Sequence, residues 1–500
     1  MKRLSERFNF LRGLSREPIG AALLGLAGDS AVYLAGGLLV GLGSVILLPL
    51  YTRYLTLREF GVYALIDVLV LLVVAVSLLK LDVSYLKWFA DIDPSKRGEL
   101  LGSTVLTGLT ASLAGGAIIS LFAASRQGEL WLQAPVRNYA WLLLPIVVLE
   151  NLQGLFLTDL RAHRKSTLYS MAALLRVMGM IVASYYLIAI RQKGLPGLFL
   201  GRLIADASSV AFLAAICLRP VVWKFSRSLL GPMLRFGAPI LWSVFAVMLQ
   251  DASGRYFLTH YGTLEQVGLL GAAIKISAVF QMLVNVPFGV AWGGMMFQIV
   301  KQRDAQVIYS KIFGYVYVLA LGMALVLTIF GPTLFRIFTA PAYYPAVALL
   351  PLVLLVRAMN VVEQPAAIGI YLSGRTGIFA AIYTVALAVN LLFLALLVPR
   401  WAALGAASAW LLGSATVPVL DFIMGQRFYR LSLSGKLLLF PLLPWMFVFF
   451  RPFASSWHLT APPLWLQVAG GGFVALSIVA LLAHDFRGVR RRFLIGELSK

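Results

Sequence analysis

Cysteine is almost absent from this chain. One residue, Cys217, stands among 500, so an internal disulfide and a cysteine-based metal site are both excluded. The four histidines, His163, His260, His458 and His484, are scattered over predicted loops and span ends, a pattern that does not ligate a metal. Charged residues make up 12% of the chain, whereas a soluble globular chain carries about a quarter. Polar segments are short as well, about 20 residues at most, so no soluble domain is inserted. No glycine-rich phosphate loop and no nucleophile–base set is visible. ATP hydrolysis within the chain is therefore not expected, nor is an enzyme activity or a bound cofactor.

What is present is apolar. Hydrophobic residues make up 60% of the chain and the mean hydropathy is +0.88. Runs of about twenty apolar residues recur throughout, each able to cross a hydrocarbon core of about 30 Å as a helix. Lipid offers no partners to the backbone, so only helices or closed barrels can span it. Barrel strands would alternate in polarity, and these runs do not. The expected fold is an all-α polytopic membrane protein with about 14 transmembrane helices. They fall near 28–50, 60–80, 100–123, 139–158, 167–190, 195–218, 233–258, 266–292, 308–330, 346–372, 377–398, 402–424, 434–450 and 463–483.

The net charge of +22 is distributed unevenly. Of the 42 Lys and Arg, 24 fall on the side that holds both termini, 9 on the other side and 9 inside spans. That excess places both termini in the cytoplasm of a plasma (inner) membrane protein. The basic start MKRLSERFNFLRGLSREP leads into a full-length span, which reads as an uncleaved first helix. The tail FRGVRRRF (Phe486 to Phe493) is expected to lie against anionic membrane lipid, and a nucleic-acid partner is not expected.

One stretch is repeated. TRYLTLREFGVYAL (from Thr52) returns as THYGTLEQVGLLGA (from Thr259), with Tyr54, Thr56, Leu57 and Gly61 matching Tyr261, Thr263, Leu264 and Gly268 at an offset of 207. Gly197 and Gly405 form a second pair, 208 apart. The copies are separated by six spans, an even number, which predicts a parallel repeat. The expected organisation is a six-helix lobe over residues 1–225, a second over 226–430, and two extra helices with a basic tail over 431–500. Duplications of this kind are typical of transporters, in which two halves rock around a shared site.

Ionisable groups at membrane depth are costly and mark functional candidates. Arg202 and Asp206, like Asp251 and Arg255, are spaced to pair on one helix face. Lys80 and Arg235 sit near span ends, where they can snorkel. Arg176, Lys275 and Arg357 have no acid three or four residues away. Such cations, with Arg255, predict a cavity for an anion, and the planar fork of arginine suits phosphate. Asp67 and Asp251 are the candidates for ion coupling or gating. Pro49, Pro145, Pro239, Pro287, Pro351 and Pro365 lie within or at the ends of spans, where proline bends a helix.

Three stretches carry a family resemblance: Gly43 to Leu65, Leu234 to Ser277 and Asn390 to Gly413. The second combines a glycine–proline entry (Gly237, Pro239), Arg255-Tyr256, Val267-Gly268 and Lys275-Ile276. The third holds Asn390, Pro399 and Gly405. Together they resemble the polysaccharide (O-antigen and exopolysaccharide) flippases of the multidrug/oligosaccharidyl-lipid/polysaccharide exporter superfamily. The resemblance implies alternating-access transfer of a polyprenyl-diphosphate-linked oligosaccharide to the outer leaflet, for cell-surface polysaccharide. It implies that lipid-linked substrate as partner, beside membrane lipids and a polysaccharide polymerase with its export machinery. Arg255, Lys275, Arg357 and Arg176 would bind the diphosphate or an acidic glycan. Two alternatives stay open: a cation-coupled multidrug antiporter, which would want unpaired acids, and a membrane polymerase or ligase, which would want a long external loop.

Overall fold

Residues 45–432 except Arg303 and Thr376, together with Gly41, Gly43 and Trp445, are described by a computed structural model. Most of predicted spans one and thirteen, all of span fourteen, Asp29, and the basic start and tail lie outside the described residues. Every regular element among the described residues is helical. Among the described residues, ten helices are long and apolar enough to cross a membrane, and the last of these holds two spans. The chain is a multi-pass membrane protein.

The sequence runs through α1 (Leu48–Tyr54), α2 (Leu57–Ser77), α3 (Leu81–Asp91), α4 (Arg97–Ala124), α5 (Arg126–Leu132) and α6 (Ala140–Ala162). Then come α7 (Ser166–Ser184), α8 (Gly194–Cys217), α9 (Arg227–Tyr261), α10 (Leu264–Phe280) and α11 (Val286–Ile299). The series ends with α12 (Ala305–Phe338), α13 (Leu350–Ala366), α14 (Ile368–Ser373) and α15 (Gly377–Gly425). Predicted spans two to twelve each coincide with a helix in this series. Wider turns extend α7 over Tyr185–Ile190 and join α10 to α11 over Gln281–Asn285. α15 contains the two predicted spans 377–398 and 402–424, joined at Ala402, where φ is +43°. Pro399 cannot donate to the ladder, and the break follows within one turn.

The repeated stretch acquires a physical meaning here. Thr56 caps α2 by accepting from the Glu59 backbone N–H, while Glu59 accepts from the Thr56 N–H. Thr263 and Gln266 build the same reciprocal cap on α10. α2 and α10 then cross at their N-terminal ends. A Cβ on Gly61 would collide with the carbonyl oxygen of Leu264, and one on Gly268 with that of Leu57. Leu57 and Leu264 are themselves repeat partners, so the contact is reciprocal, as about a two-fold axis. Only glycine lets the two backbones approach this closely. The second echo also has one local role. Gly197 and Gly405 each press against backbone at the end of the preceding helix, at Leu187 and Leu397.

The same end is sealed by the 3₁₀ segment Pro341–Ala348. Tyr343 donates its hydroxyl to the carbonyls of Leu55 (3.2 Å) and Thr56 (3.3 Å), and its ring meets Phe60 edge-on. The Ala340 N–H donates to Thr52 Oγ1 at 3.2 Å. At the opposite end of α2 the chain turns sharply through Leu79 and Lys80, both with positive φ (52° and 54°). Lys80 reaches Asp82 at 3.9 Å. α9 begins against this turn. Gly237 faces the Leu79 carbonyl, and Ser84 donates to the Met233 carbonyl at 2.9 Å. Further along, α9 packs on α15, where Ser253 donates to Asn390 Oδ1 at 3.2 Å.

Candidate functional site

Two clusters of ionisable residues lie at depth, one on each side of α10. The first gathers Asp67 (α2), Glu150 (α6), Arg176 (α7), Arg202 and Asp206 (α8) and Lys275 (α10). Arg202 is its centre. Its Nη2 donates to Glu150 Oε1 at 2.6 Å and its Nη1 to Asp67 Oδ1 at 2.8 Å. Arg176 donates to Asp206 Oδ1 at 2.7 Å and to Glu150 Oε1 at 3.0 Å. Lys275 Nζ completes the set by donating to Asp67 Oδ2 at 3.4 Å, with its ammonium 5.4 Å from the Tyr63 ring centre. Three carboxylates thus face three cations. Residues up to 206 contribute three acids and two arginines, and α10 supplies the cation that balances them.

This arrangement corrects one part of the sequence reading. Arg176 and Lys275 lack acids on their own helices, but neighbouring helices supply them. The expected Arg202–Asp206 pair is also weaker than expected. Its separation is 4.0 Å, while Arg202 spends its donors on Glu150 and Asp67. Glu150, Arg202 and Asp206 were not among the candidate site residues. Their signal was available in the balance of charge: five ionisable groups sit at depth in the first six spans, and they nearly cancel.

The cluster borders a cavity of about 160 Å³. Its lining includes Asp67, Glu150, Arg176, Arg202 and Lys275, with Tyr51 and Tyr63 adding aromatic faces. Tyr51 meets Ser184 Oγ at 3.5 Å. A volume of this size admits several waters or a small polar group.

The second cluster is poorer in partners. Asp251 and Arg255 on α9 pair at 3.5 Å, as their spacing predicts. The Nε and Nη1 of Arg255 are nevertheless buried without a hydrogen-bond partner among the described residues. Arg357 on α13 donates Nε to Ser277 Oγ at 3.2 Å and lies 5.4 Å from the centre of the Trp410 ring. No carboxylate lies within ion-pair distance of Arg357 among the described residues. Asp251 and Arg255 are the charged groups in its electrostatic reach. The structure therefore brings Asp251, Arg255 and Arg357 into one neighbourhood and Asp67, Arg176 and Lys275 into another, and the two adjoin, since Arg255 also lies within electrostatic reach of Asp67. α10 touches both, since Lys275 and Ser277 are two positions apart and point to different faces of the helix.

Desolvated guanidinium donors without acceptors are costly, and they mark where an anion would be welcome. In the first cluster an anion would have to displace carboxylates. In the second it would fill vacant donor positions. Among the described residues no group of three or more His, Cys, Asp and Glu side chains is arranged to hold a metal ion.

No protein-family model and no curated protein sequence matches the chain. Solved structures do. Lipid II flippase MurJ in an inward closed conformation matches with a TM-score of 0.68 at 11% identity, covering 92% of this chain and 99% of that one. A multidrug resistance MATE family transporter of the MOP superfamily, in its inward-facing conformation, matches at 0.59 and 15% identity, covering 80% and 94%. A MATE structure in the straight conformation matches at 0.53 and 15%, covering 83% and 97%. The ten-plus spans, the reciprocal α2–α10 crossing and the coverage of nearly whole chains agree: this protein has the fold of the MATE and MurJ transporters of that superfamily.

Proposed function

We propose that the chain is a flippase that moves a polyprenyl-diphosphate-linked oligosaccharide from the cytoplasmic to the outer leaflet by alternating access. The observation that carries this reading is the pair of under-partnered arginines, Arg255 and Arg357, held near one another at membrane depth. A diphosphate brings oxygens that can accept from both guanidinium forks. The paired cations Arg176, Arg202 and Lys275 form the second wall, beside the cavity, where a polar glycan can be accommodated. The likeness to a lipid II flippase supports the substrate class, and its low identity leaves the glycan itself open. Two six-helix lobes, bounded near residue 225, would rock about the α2–α10 crossing. The basic side is the cytoplasmic side of a bacterial inner membrane, so the sealed end faces outward and the state is inward-facing. Membrane lipids, a polysaccharide polymerase and export machinery are the partners this role implies.

A second reading, a cation-coupled multidrug antiporter, is favoured by two acids at depth, partly exposed Glu363 and buried Asp421, that lack a cationic partner among the described residues. Deletion of the gene separates the two. The flippase reading expects lipid-linked oligosaccharide to build up in the cytoplasmic leaflet, with rescue by wild type and no rescue by Arg255→Gln or Arg357→Gln. Unchanged lipid intermediates with altered drug sensitivity would favour the antiporter.

A further inference from the structure

The transport reading makes no use of the chain between α8 and α9, which joins the two predicted lobes. Residues 221–226 form no helix and run across the start of α4. Two glycines make the track. A Cβ on Gly98 would collide with the Pro220 carbonyl oxygen, and one on Gly102 with that of Val222. Three hydrogen bonds then fasten the segment. The Val222 N–H donates to the Gly98 carbonyl at 3.1 Å. Ser103 Oγ donates to the Lys224 carbonyl at 2.6 Å and accepts from the Ser226 N–H at 3.0 Å. Val221 packs against the core cluster that holds Leu101 and Leu213. A backbone held in this way fixes which side chains face outward.

Those that do are large and apolar. Val222, Trp223 and Phe225 are 52%, 57% and 63% exposed. Arg219, Lys224 and Arg227 stand among them and are exposed as well. Among the described residues, Glu99 is the acid in ion-pair distance of this set, 3.4 Å from Lys224. The start of α4, the end of α8 and the start of α9 meet here, on the side that carries 24 of the Lys and Arg against 9. An exposed apolar patch of this kind marks a protein or membrane contact. Water would leave the three apolar side chains unburied, and an apolar pocket would strand the cations. The headgroup boundary of a bilayer satisfies both, because aromatic rings settle there and cations beside them meet lipid phosphate.

We propose that residues 219–227 form a docking edge for anionic phospholipid. Trp223 and Phe225 are set into the headgroup boundary, and Arg219, Lys224 and Arg227 hold the phosphate groups. Charge complementarity selects this occupant over an uncharged lipid, and the spans on either side keep the edge at the membrane surface. The rigid backing gives the contact a consequence. Because the segment is fastened to α4, a lipid held here bears on the first lobe at the point where the chain leaves it for α9. The inference does not depend on which substrate the protein moves.

Fluorescence quenching of the full-length protein in phosphatidylcholine bilayers tests it, with a fluorophore attached through Phe225→Cys. Cys217 is buried, so the wild-type chain serves as the labelling control. The quencher is spin-labelled phosphatidylcholine or spin-labelled phosphatidylglycerol, each with its nitroxide near the top of the acyl chain. The expected result is quenching by both, about five-fold or more stronger with the anionic lipid, the effect of one well-placed cation. The combined change Arg219→Gln, Lys224→Gln and Arg227→Gln should remove that preference and leave melting unchanged, since all three side chains are exposed. A label at Trp223→Cys repeats the reading if the first variant folds poorly. The proposal is overturned by an absence of quenching with either lipid, which would leave the edge in water for a protein partner. Equal quenching by the two lipids before the charges are changed, or a preference that survives the triple change, overturns it as well.

Discussion

The two charged clusters are built from similar residues and differ in how far they are satisfied. Around Arg202, three cations face three carboxylates, with contacts of 2.6 to 3.4 Å. Around Arg357 and Arg255, one carboxylate, Asp251, reaches Arg255 at 3.5 Å and none reaches Arg357, and two nitrogens of Arg255 have no hydrogen-bond partner among the described residues. A satisfied network inside a membrane fixes the geometry of the helices that supply it. An unsatisfied one is held open at a cost, and that cost is recovered when a ligand arrives. On the proposed reading, the first cluster holds α2, α6, α7, α8 and α10 together and the second binds the anion.

The largest effect that sharpens this contrast is Arg202→Ala. It leaves Glu150 and Asp67 without their main counter-charge and is expected to cost about 3–5 kcal/mol of stability. Thermal unfolding in detergent measures it. Arg357→Ala should cost clearly less, because no buried carboxylate loses its partner. Equal losses would erase the distinction between the clusters.

The next effect concerns the crossing of α2 with α10. Gly61→Val and Gly268→Val each drive a side chain into the backbone of the facing helix. Each is expected to cost about 1–3 kcal/mol by overpacking. Because the contact is reciprocal, the two should match closely in melting temperature and in loss of transport. A strong effect from one and none from the other would break the two-fold account. Smaller still are the caps. Thr56→Ala and Thr263→Ala should each cost about 1 kcal/mol, since each removes one acceptor for a free helix N–H. Hydrogen exchange at the first turns of α2 and α10 reports this locally.

The sequence carried the spans and the repeat clearly. Hydropathy in a membrane is dictated by length and apolarity, so Leu57–Ser77 and the ten spans after it were readable without any tertiary information. The echo at Thr56 and Thr263 was readable as well, because a capping box is a local motif. Its partner function was not. That Gly61 meets Leu264, and Gly268 meets Leu57, follows only once the helices cross. Charge pairing failed for the same reason. Spacing of three or four residues finds Asp251–Arg255, but the partners of Arg176 lie 26 and 30 residues away, and Lys275 reaches Asp67 across 208. Reading Lys275 and Arg176 as lone cations applied a one-helix rule to a many-helix bundle. Arg357, which stays without an acid in ion-pair distance, was the case in which the local rule and the bundle agreed.

The central claim is that the anion binds where guanidinium donors are vacant. Binding of a polyprenyl diphosphate to the purified protein, followed by tryptophan fluorescence, tests it most directly through Arg255→Gln, Arg357→Gln and Arg176→Gln. Loss of a charged hydrogen bond of roughly 1.5–3 kcal/mol should weaken binding about 10- to 100-fold for the first two. Arg176→Gln should change binding far less. The account is contradicted if Arg176→Gln abolishes binding while Arg255→Gln and Arg357→Gln bind as wild type.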